Sequence, residues 1–431
     1  GAGDGLLRAL DANQSGTDAG QEQWSFIAPE FLGRLNRLRE NSPRINFPNL
    51  PPGESPPAQP KDYFFDGSIG AYQERRDGAI SRVYLYPTMR RGGRQVYAFD
   101  ATSRPRAGTE SSMPTLMWKF GCPNLDNDTG CTPGASAIGQ TWSAPRVIRV
   151  LGHDTLYLVF GGGYDRCEDG DSCSGTAKGS QLFVLNARTG VLVTTIDLGA
   201  KSAEAGRVIA DVVPVDVSGD GYADVLYAVD TRGNLWRTSL SDPSATTPYT
   251  GHPASNWDAR TYRVAKVADW SVAERRRKFQ YAPDVVVLGG TANVFIGTGD
   301  REKPLPGSTA SRVKNRFYAI RDNYAEGAYG SPSAPVLIDD SQDCDGAGDV
   351  TLDTGCQLLN VSALSADLNY NTALSNPQTR GWVMDLNIGA PPYEQVVTTP
   401  VVAGGVVYFS TFQPNAENSN SCSNLGTARG Y

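Results

Sequence analysis

The sequence predicts an all-β fold: an irregular β-propeller of about seven blades, with long loop insertions and a short helix near the N-terminus. Three observations carry this. Glycine and proline number 47 and 28 in 431 residues, while charged residues make up only 20%. That balance suits many short strands joined by turns. A short motif also recurs along the chain, and the runs between its copies are β-branched or aromatic and end at Gly or Pro.

The motif is an apolar residue, a bulky one, Ala or Val, an apolar residue, then Asp or Asn. Copies span 7–11, 96–100, 182–186, 226–230 and, with the acid one place late, 317–322. Its closing position moves from 11 to 100, 186, 230 and 321. These steps are near multiples of about 44, the length of a four-stranded blade. Further strands are expected at 82–86, 155–160, 285–288, 294–296 and 406–409. Phe31, Leu32, Leu35 and Leu38 fall on one face of a segment opened by Pro29, which predicts a helix over 29–39. The Pro-rich stretch 48–60 reads as a surface loop inserted in a blade. No linker divides the chain, so 1–431 is expected to be one propeller domain. It opens on Gly1-Ala2-Gly3-Asp4-Gly5 in what reads as mid-strand, so it is expected to be part of a longer protein.

The net charge is −7, with 8 lysines among 39 basic residues and no basic stripe, which argues against nucleic acid. The nearest basic run, Arg275-Arg276-Arg277-Lys278, reads as an exposed turn. With only His153 and His252, Ser-His-Asp catalysis and His-ligated zinc are disfavoured. No apolar run approaches the roughly 18 residues of a membrane span. Seven cysteines stand at 122, 131, 167, 173, 344, 356 and 422. Six fall into close pairs in polar loops, as an oxidising compartment permits. The expected disulfides are 122 with 131, 167 with 173 and 344 with 356, each contributing about 2–3 kcal/mol. Cys422 is left without a partner.

One segment carries chemistry. From Asp216 to Asp224 the chain places oxygen side chains at positions 1, 3, 5 and 9: Asp216, Ser218, Asp220 and Asp224. Gly221 at position 6 allows the sharp turn, and Tyr222 at position 7 offers its backbone carbonyl. This is the ligand spacing of the first part of a Ca²⁺ loop, where alternate side chains point inward around the ion. Position 12 is Tyr227 rather than glutamate, so the loop is not an EF-hand; it joins two strands instead. The expected dissociation constant lies between about 10⁻⁶ and 10⁻³ M. As ligands on a surface loop, Asp220 and Asp224 are expected to be removable without unfolding the protein. A lysine at 224 is expected to mimic the bound ion. Two other acidic stretches, 343–349 and 124–128, read as solvated loops beside disulfides.

The loop together with Val225-Leu226-Tyr227-Ala228-Val229-Asp230 and Gly233-Asn234-Leu235-Trp236-Arg237 resembles the C-terminal propeller of the PilY-type biogenesis factors and tip adhesins of bacterial type IV pili. Weaker matches span the chain: Phe26-Ile27-Ala28-Pro29, Phe295-Ile296-Gly297-Thr298-Gly299 and Val396-Val397-Thr398-Thr399-Pro400. The resemblance implies Ca²⁺ ligands at Asp216, Asp220 and Asp224 with the Tyr222 carbonyl. Ser218 stands where the family commonly has Asn or Asp. It implies a non-enzymatic role in pilus assembly, adhesion and twitching motility, with Ca²⁺ binding and release setting the balance of extension and retraction. The implied partners are pilus components (minor pilins and the tip complex) and a host or surface receptor. The implied place is the cell surface at the pilus tip, reached through the periplasm and outer membrane. Two other classes share the composition. A quinoprotein dehydrogenase is also a secreted Ca²⁺-bearing propeller, but typically shows adjacent cysteines, which this chain lacks. A generic extracellular ligand-binding propeller is the other.

Overall fold

The structure is a computed structural model that describes residues 1, 3–45, 57–103, 113–173, 177–242, 250–289, 291–322, 337–340, 343–344, 357–362, 379–386, 389–415 and 426–431. The predicted β class holds. Among the described residues the strands form seven sheets, and four of these contain a four-stranded antiparallel meander. The first runs through Ile69–Arg76, Ala79–Pro87, Arg94–Asp100 and Thr115–Cys122. The second uses Arg146–Ile148, Tyr157–Gly161, Gln181–Asn186 and Leu192–Asp197. The third uses Val213–Val215, Val225–Val229, Asn234–Ser239 and Thr261–Lys266. The fourth joins Asp284–Leu288, Thr291–Gly297 and Arg316–Asp322 to Gly381–Asp385. The remaining three sheets have two or three strands.

The repeat length differs from the expectation. First strands of the four meanders begin at 69, 146, 213 and 284, so the steps are 77, 67 and 71 residues rather than 44. Motif copies 96–100 and 182–186 lie on the third strands of adjacent meanders, whereas 226–230 lies on the second strand of the next. The motif marks a chemical situation, not a fixed place in a blade. It is a buried strand that ends in a turn capped by its own side chain. Asp100 accepts from the Thr102 N–H, Asn186 from Arg188 and Asp230 from Arg232, the local bonding that Asx residues favour in turns.

These strands are apolar throughout because both of their faces are covered. Side chains alternate across a strand. In Val225–Val229, Val225, Tyr227 and Val229 join a core that includes Val294 and Tyr318 of the next meander. Leu226 and Ala228 turn the other way, into a core with Tyr157 and Val184 of the preceding one. Gln181–Asn186 divides likewise, with Leu182 and Val184 on one side and Phe183 and Leu185 on the other. Each sheet thus shares one core with the sheet before it and another with the sheet after, the face-to-face stacking of propeller blades. Ser68, Trp142, Asp211, Ala282 and Thr399, each close ahead of a first strand, line one common cavity of about 310 Å³.

The helix forms as a 3₁₀ turn Pro29–Phe31 running into Leu32–Glu40. Only part of its expected apolar face is used. Phe31 is buried and Leu35 packs beside it, but Leu32 and Leu38 are 56% and 43% exposed. The helix meets the core only at its start. Its last turn is held instead by Arg37, which donates to the carbonyls of Pro43, Gln59 and Pro60 and pairs with Asp62.

The basic run 275–278 is an exposed turn only at its start: Arg275 is exposed and Arg276 half-buried. Arg277 is 2% and Lys278 6% exposed. Arg277 pairs with Asp340 and donates to the Val267 and Lys314 carbonyls at 2.9 and 2.6 Å. Lys278 sits among Asp171, Asp300 and Glu168 at 2.7, 3.0 and 3.2 Å. Burial opposes its charge, but the three carboxylates outweigh that cost and raise its pKa above the ordinary 10.5. Charges with several buried partners are not solvated faces, and no local pattern separates the two cases.

Disulfides 122–131 and 167–173 form as expected. Cys356, and with it the 344–356 pairing, Cys422 and most of the Pro-rich stretch (46–56) lie outside the described residues. The 167–173 loop carries Glu168 and Asp171, so this staple frames the partners of Lys278. No described helix is long and apolar enough to cross a membrane.

Candidate metal centre

The segment 216–224 connects strands Val213–Val215 and Val225–Val229, which pair antiparallel with Val215 opposite Val225. The loop is therefore pinned at both ends by a buried ladder, and it curls within nine residues. Gly219 and Gly221 take φ of 77° and 88°, the left-handed region in which a Cβ costs roughly 1 kcal/mol or more. Open space surrounds both positions, so it is backbone conformation rather than crowding that calls for glycine.

The curl brings backbone N–H groups onto Asp216. Its Oδ1 accepts from Gly219 at 2.6 Å and Asp220 at 3.2 Å, and its Oδ2 from Gly221 at 2.7 Å. The Ser218 hydroxyl lies 3.3 Å from the same Oδ1. Asp220 Oδ1 accepts from the Tyr222 N–H at 2.8 Å, while its Oδ2 is buried and has no hydrogen-bond partner among the described residues. Neither Asp216 nor Asp220 has a cationic side chain within ion-pair distance among those residues. A buried carboxylate oxygen without donor or counter-charge is costly. A divalent cation would remove that cost, and the carboxylate, hydroxyl and carbonyl oxygens of this turn are of the type that holds one.

Asp224 is not a surface ligand. It is 1% exposed. Its Oδ2 accepts from the Val217 and Ser218 N–H groups at 2.9 and 2.8 Å, and its Oδ1 from the Ser241 hydroxyl at 2.7 Å. Its own backbone bonds to Val215, Leu240 and Ser241. Removing Asp224 is therefore expected to cost stability, and a lysine there would set an ammonium against three donors. The structure brings Asp216, Ser218 and Asp220 together at one turn and places Asp224 beneath them as a latch. Asp216, Asp220 and Asp224 do not close as a trio to the mutual spacing of ligands on one ion.

Sequence reading missed Ser241. It reaches Asp224 from beyond the next strand, 17 residues away, and no short motif spans that distance. Among the described residues, the grouping that does close to metal spacing is Cys122, Asp128 and Cys131. Its two sulfurs are spent in the disulfide, and Asp128 is shared by Arg94 and Lys178. The stretch 124–128 is thus no rival site. The stretch 345–349 lies outside the described residues.

Comparison with known proteins agrees with this picture. Residues 1–347 match the family model of the PilY1 beta-propeller domain. A type IV pilus biogenesis factor PilY1 homolog of Xylella fastidiosa is 26% identical over 99% of this chain, which covers 25% of that protein. The type IV pilus biogenesis factor PilY1 of Pseudomonas aeruginosa is 24% identical over 99% of the chain, covering 35% of its length. The chain thus spans between a quarter and about a third of these relatives. The crystal structure of the Pseudomonas aeruginosa PilY1 C-terminal domain superposes with a TM-score of 0.61 at 19% identity, over 96% of this chain and 76% of that one.

Proposed function

The chain belongs to the PilY1 beta-propeller domain family, and from that premise we propose that it is the calcium-responsive, non-enzymatic part of a type IV pilus biogenesis factor and tip-associated adhesion protein. In this reading Asp216, Ser218, Asp220 and the Tyr222 carbonyl would hold Ca²⁺, with Asp224 joining them or fixing the curl from below. The ion would supply positive charge where no cationic side chain of the described residues pairs with Asp216 or Asp220. The observation that carries the reading is the buried Oδ2 of Asp220, without a partner among the described residues, in a loop whose N–H groups already converge on Asp216.

The chain's own residues make such a site a local switch. The loop leads straight into Val225–Val229, whose two faces sit in two different inter-sheet cores. That burial holds the strand, so in this reading ordering by the ion is confined to the turn. A partner touching only the ordered turn feels the ion, and the response is centred on the site's own dissociation constant. The partners in this reading are minor pilins and other tip components, with a host or surface receptor, at the cell surface. The test is Asp220→Ala in the full-length protein, expressed in a piliated strain. The proposal expects normal protein level with altered surface pili and twitching. Parent-like piliation and twitching, with calcium binding verified as lost, would leave the loop a structural element only.

A further inference from the structure

In the first meander the connection between first and second strands is a projecting ribbon. Ile69–Arg76 and Ala79–Pro87 close on Asp77 and Gly78, with φ of 51° and 78°, a two-residue turn whose twist matches that of its strands. The third strand pairs with Ala79–Pro87 only at Tyr84 and Leu85, so beyond Val83 the described residues give the ribbon no further strand. First strands begin beside the common cavity, so the connections that follow them leave on the opposite face. There the ribbon and the 216–224 turn meet on one residue, Arg149, in the corresponding connection of the second meander. Its carbonyl accepts from the Ala223 N–H at 2.8 Å. Its guanidinium donates to the Tyr72 hydroxyl at 3.1 Å and pairs with Glu74 at 3.5 Å.

Charge is sorted across this junction. Side chains alternate along a strand, so Arg76 follows Tyr72 and Glu74 on the side that meets Arg149, while Arg75 and Asp77 fall on the far side and offset each other. Glu74 is shared by Arg82 and Arg149, both exposed. The Arg76 guanidinium is exposed and has no partner among the described residues. Three arginines thus face one carboxylate, in a chain of net charge −7. Asp154 of the same connection follows His153, which stacks on Trp257 of the third meander rather than on the ribbon. Across Arg149, Asp216 and Asp220 carry two charges without a cation. An acidic partner is attracted by the arginines and repelled by the empty turn; calcium in the turn removes the repulsion.

We propose that this face is the calcium-gated docking site of an extended acidic segment of a partner protein, gripped by Arg76, Arg82 and Arg149. This rests on the calcium reading of the 216–224 turn and names the chemistry of its partner. Ile69–Arg76 is an edge strand of its sheet, so the ribbon offers an extended peptide backbone pairing as well as charge, which a lipid headgroup cannot use. Two calcium charges at about 10 Å from two partner carboxylates raise affinity by about threefold to tenfold at low salt.

The test is fluorescence polarisation of a labelled twelve-residue Glu-Ser repeat, with a Gln-Ser repeat as control, at about 20 mM salt. The parent binds the acidic repeat about threefold to tenfold more tightly in calcium than in chelator. Arg76→Gln with Arg82→Gln loses at least about fivefold in both conditions, with its calcium affinity by calorimetry unchanged. Asp220→Ala keeps the chelator-level binding and shows no calcium response. The proposal is overturned if the neutral repeat binds as well as the acidic one, if the double variant binds like the parent, or if calcium that is seen to bind leaves the affinity unchanged. It is also overturned if phosphatidylglycerol vesicles bind and the peptide does not, or if the acidic repeat fails to bind up to about 1 mM. A parent that binds no calcium overturns the reading of the turn and the gating with it, while the chelator measurements on the double variant still decide the role of the arginines.

Discussion

Replacing Asp224 by Ala and replacing Asp220 by Ala are predicted to have opposite signatures. Asp224→Ala strands three donors: the Val217 and Ser218 N–H groups and the Ser241 hydroxyl. Residues 217 and 218 are half-buried, so water recovers part of their loss, at about 0.5–1.5 kcal/mol each. Ser241 is fully buried, and losing this acceptor there costs about 1–3 kcal/mol. The sum is about 2–6 kcal/mol. Asp220→Ala loses one bond, from the Tyr222 N–H, and also removes a buried oxygen that has no partner. Its cost is about 1 kcal/mol or less. The assay is urea unfolding followed by fluorescence, with calcium chelated in all samples so that ion binding does not contribute. Asp224→Ala shifts the midpoint well below the parent, Asp224→Asn shifts it less, and Asp220→Ala stays near the parent. Equal midpoints for Asp224→Ala and the parent would refute the assignment of Asp224 as the latch of the turn.

Other outcomes follow from the ion pairs between sheets. Asp322→Ala takes from buried Arg237 the carboxylate paired with it at 2.5 Å in the core between the third and fourth meanders, and from the Tyr227 hydroxyl an acceptor. It lowers stability by about 3–5 kcal/mol, and thermal melts check this against Arg237→Met/Asp322→Leu, which loses less. Lys278 has a raised pKa, so its contribution is fully present below pH 10.5 and is lost only as pH rises through the higher folded value. Asp171 is pushed up by burial but held below 3.8 overall by Lys278 and Lys303; its contribution is present above pH 3.8 and fades as pH falls through its lower folded value. Melting temperatures of the parent and Lys278→Met against pH test both limbs: the variant lacks the alkaline loss assigned to Lys278. Cys167→Ser/Cys173→Ser loosens the loop bearing Glu168 and Asp171, at about 2 kcal/mol, read as a lower denaturation midpoint.

The sequence patterns that proved legible are those set by neighbours along the chain. The calcium-like turn, both described disulfides, the helix start at Pro29 and the buried strands all depend on residues within about a dozen positions. What failed depends on residues brought together from afar. The blade period was misjudged because the motif reports a buried strand with an Asx turn, which occurs on the third strand at Asp100 and on the second at Asp230. Arg277 and Lys278 looked solvated because their partners Asp340, Glu168 and Asp300 lie in other sheets or loops. Asp224 carries the ninth-position signature of a ligand, and the hydrogen bonds its oxygens also accept from Ser241 and two N–H groups were not legible in that spacing. Spacing shows which residues share a turn, but not which way each carboxylate faces.

The account rests on a cation being held at Asp220, and calorimetric titration of calcium into the chelator-treated protein tests this most directly. The parent is predicted to bind with a dissociation constant between about 10⁻⁶ and 10⁻³ M, and Asp220→Ala to lose this binding while unfolding at nearly the parent midpoint. Binding that survives Asp220→Ala unchanged, or a parent that binds no calcium at millimolar concentration, would contradict it.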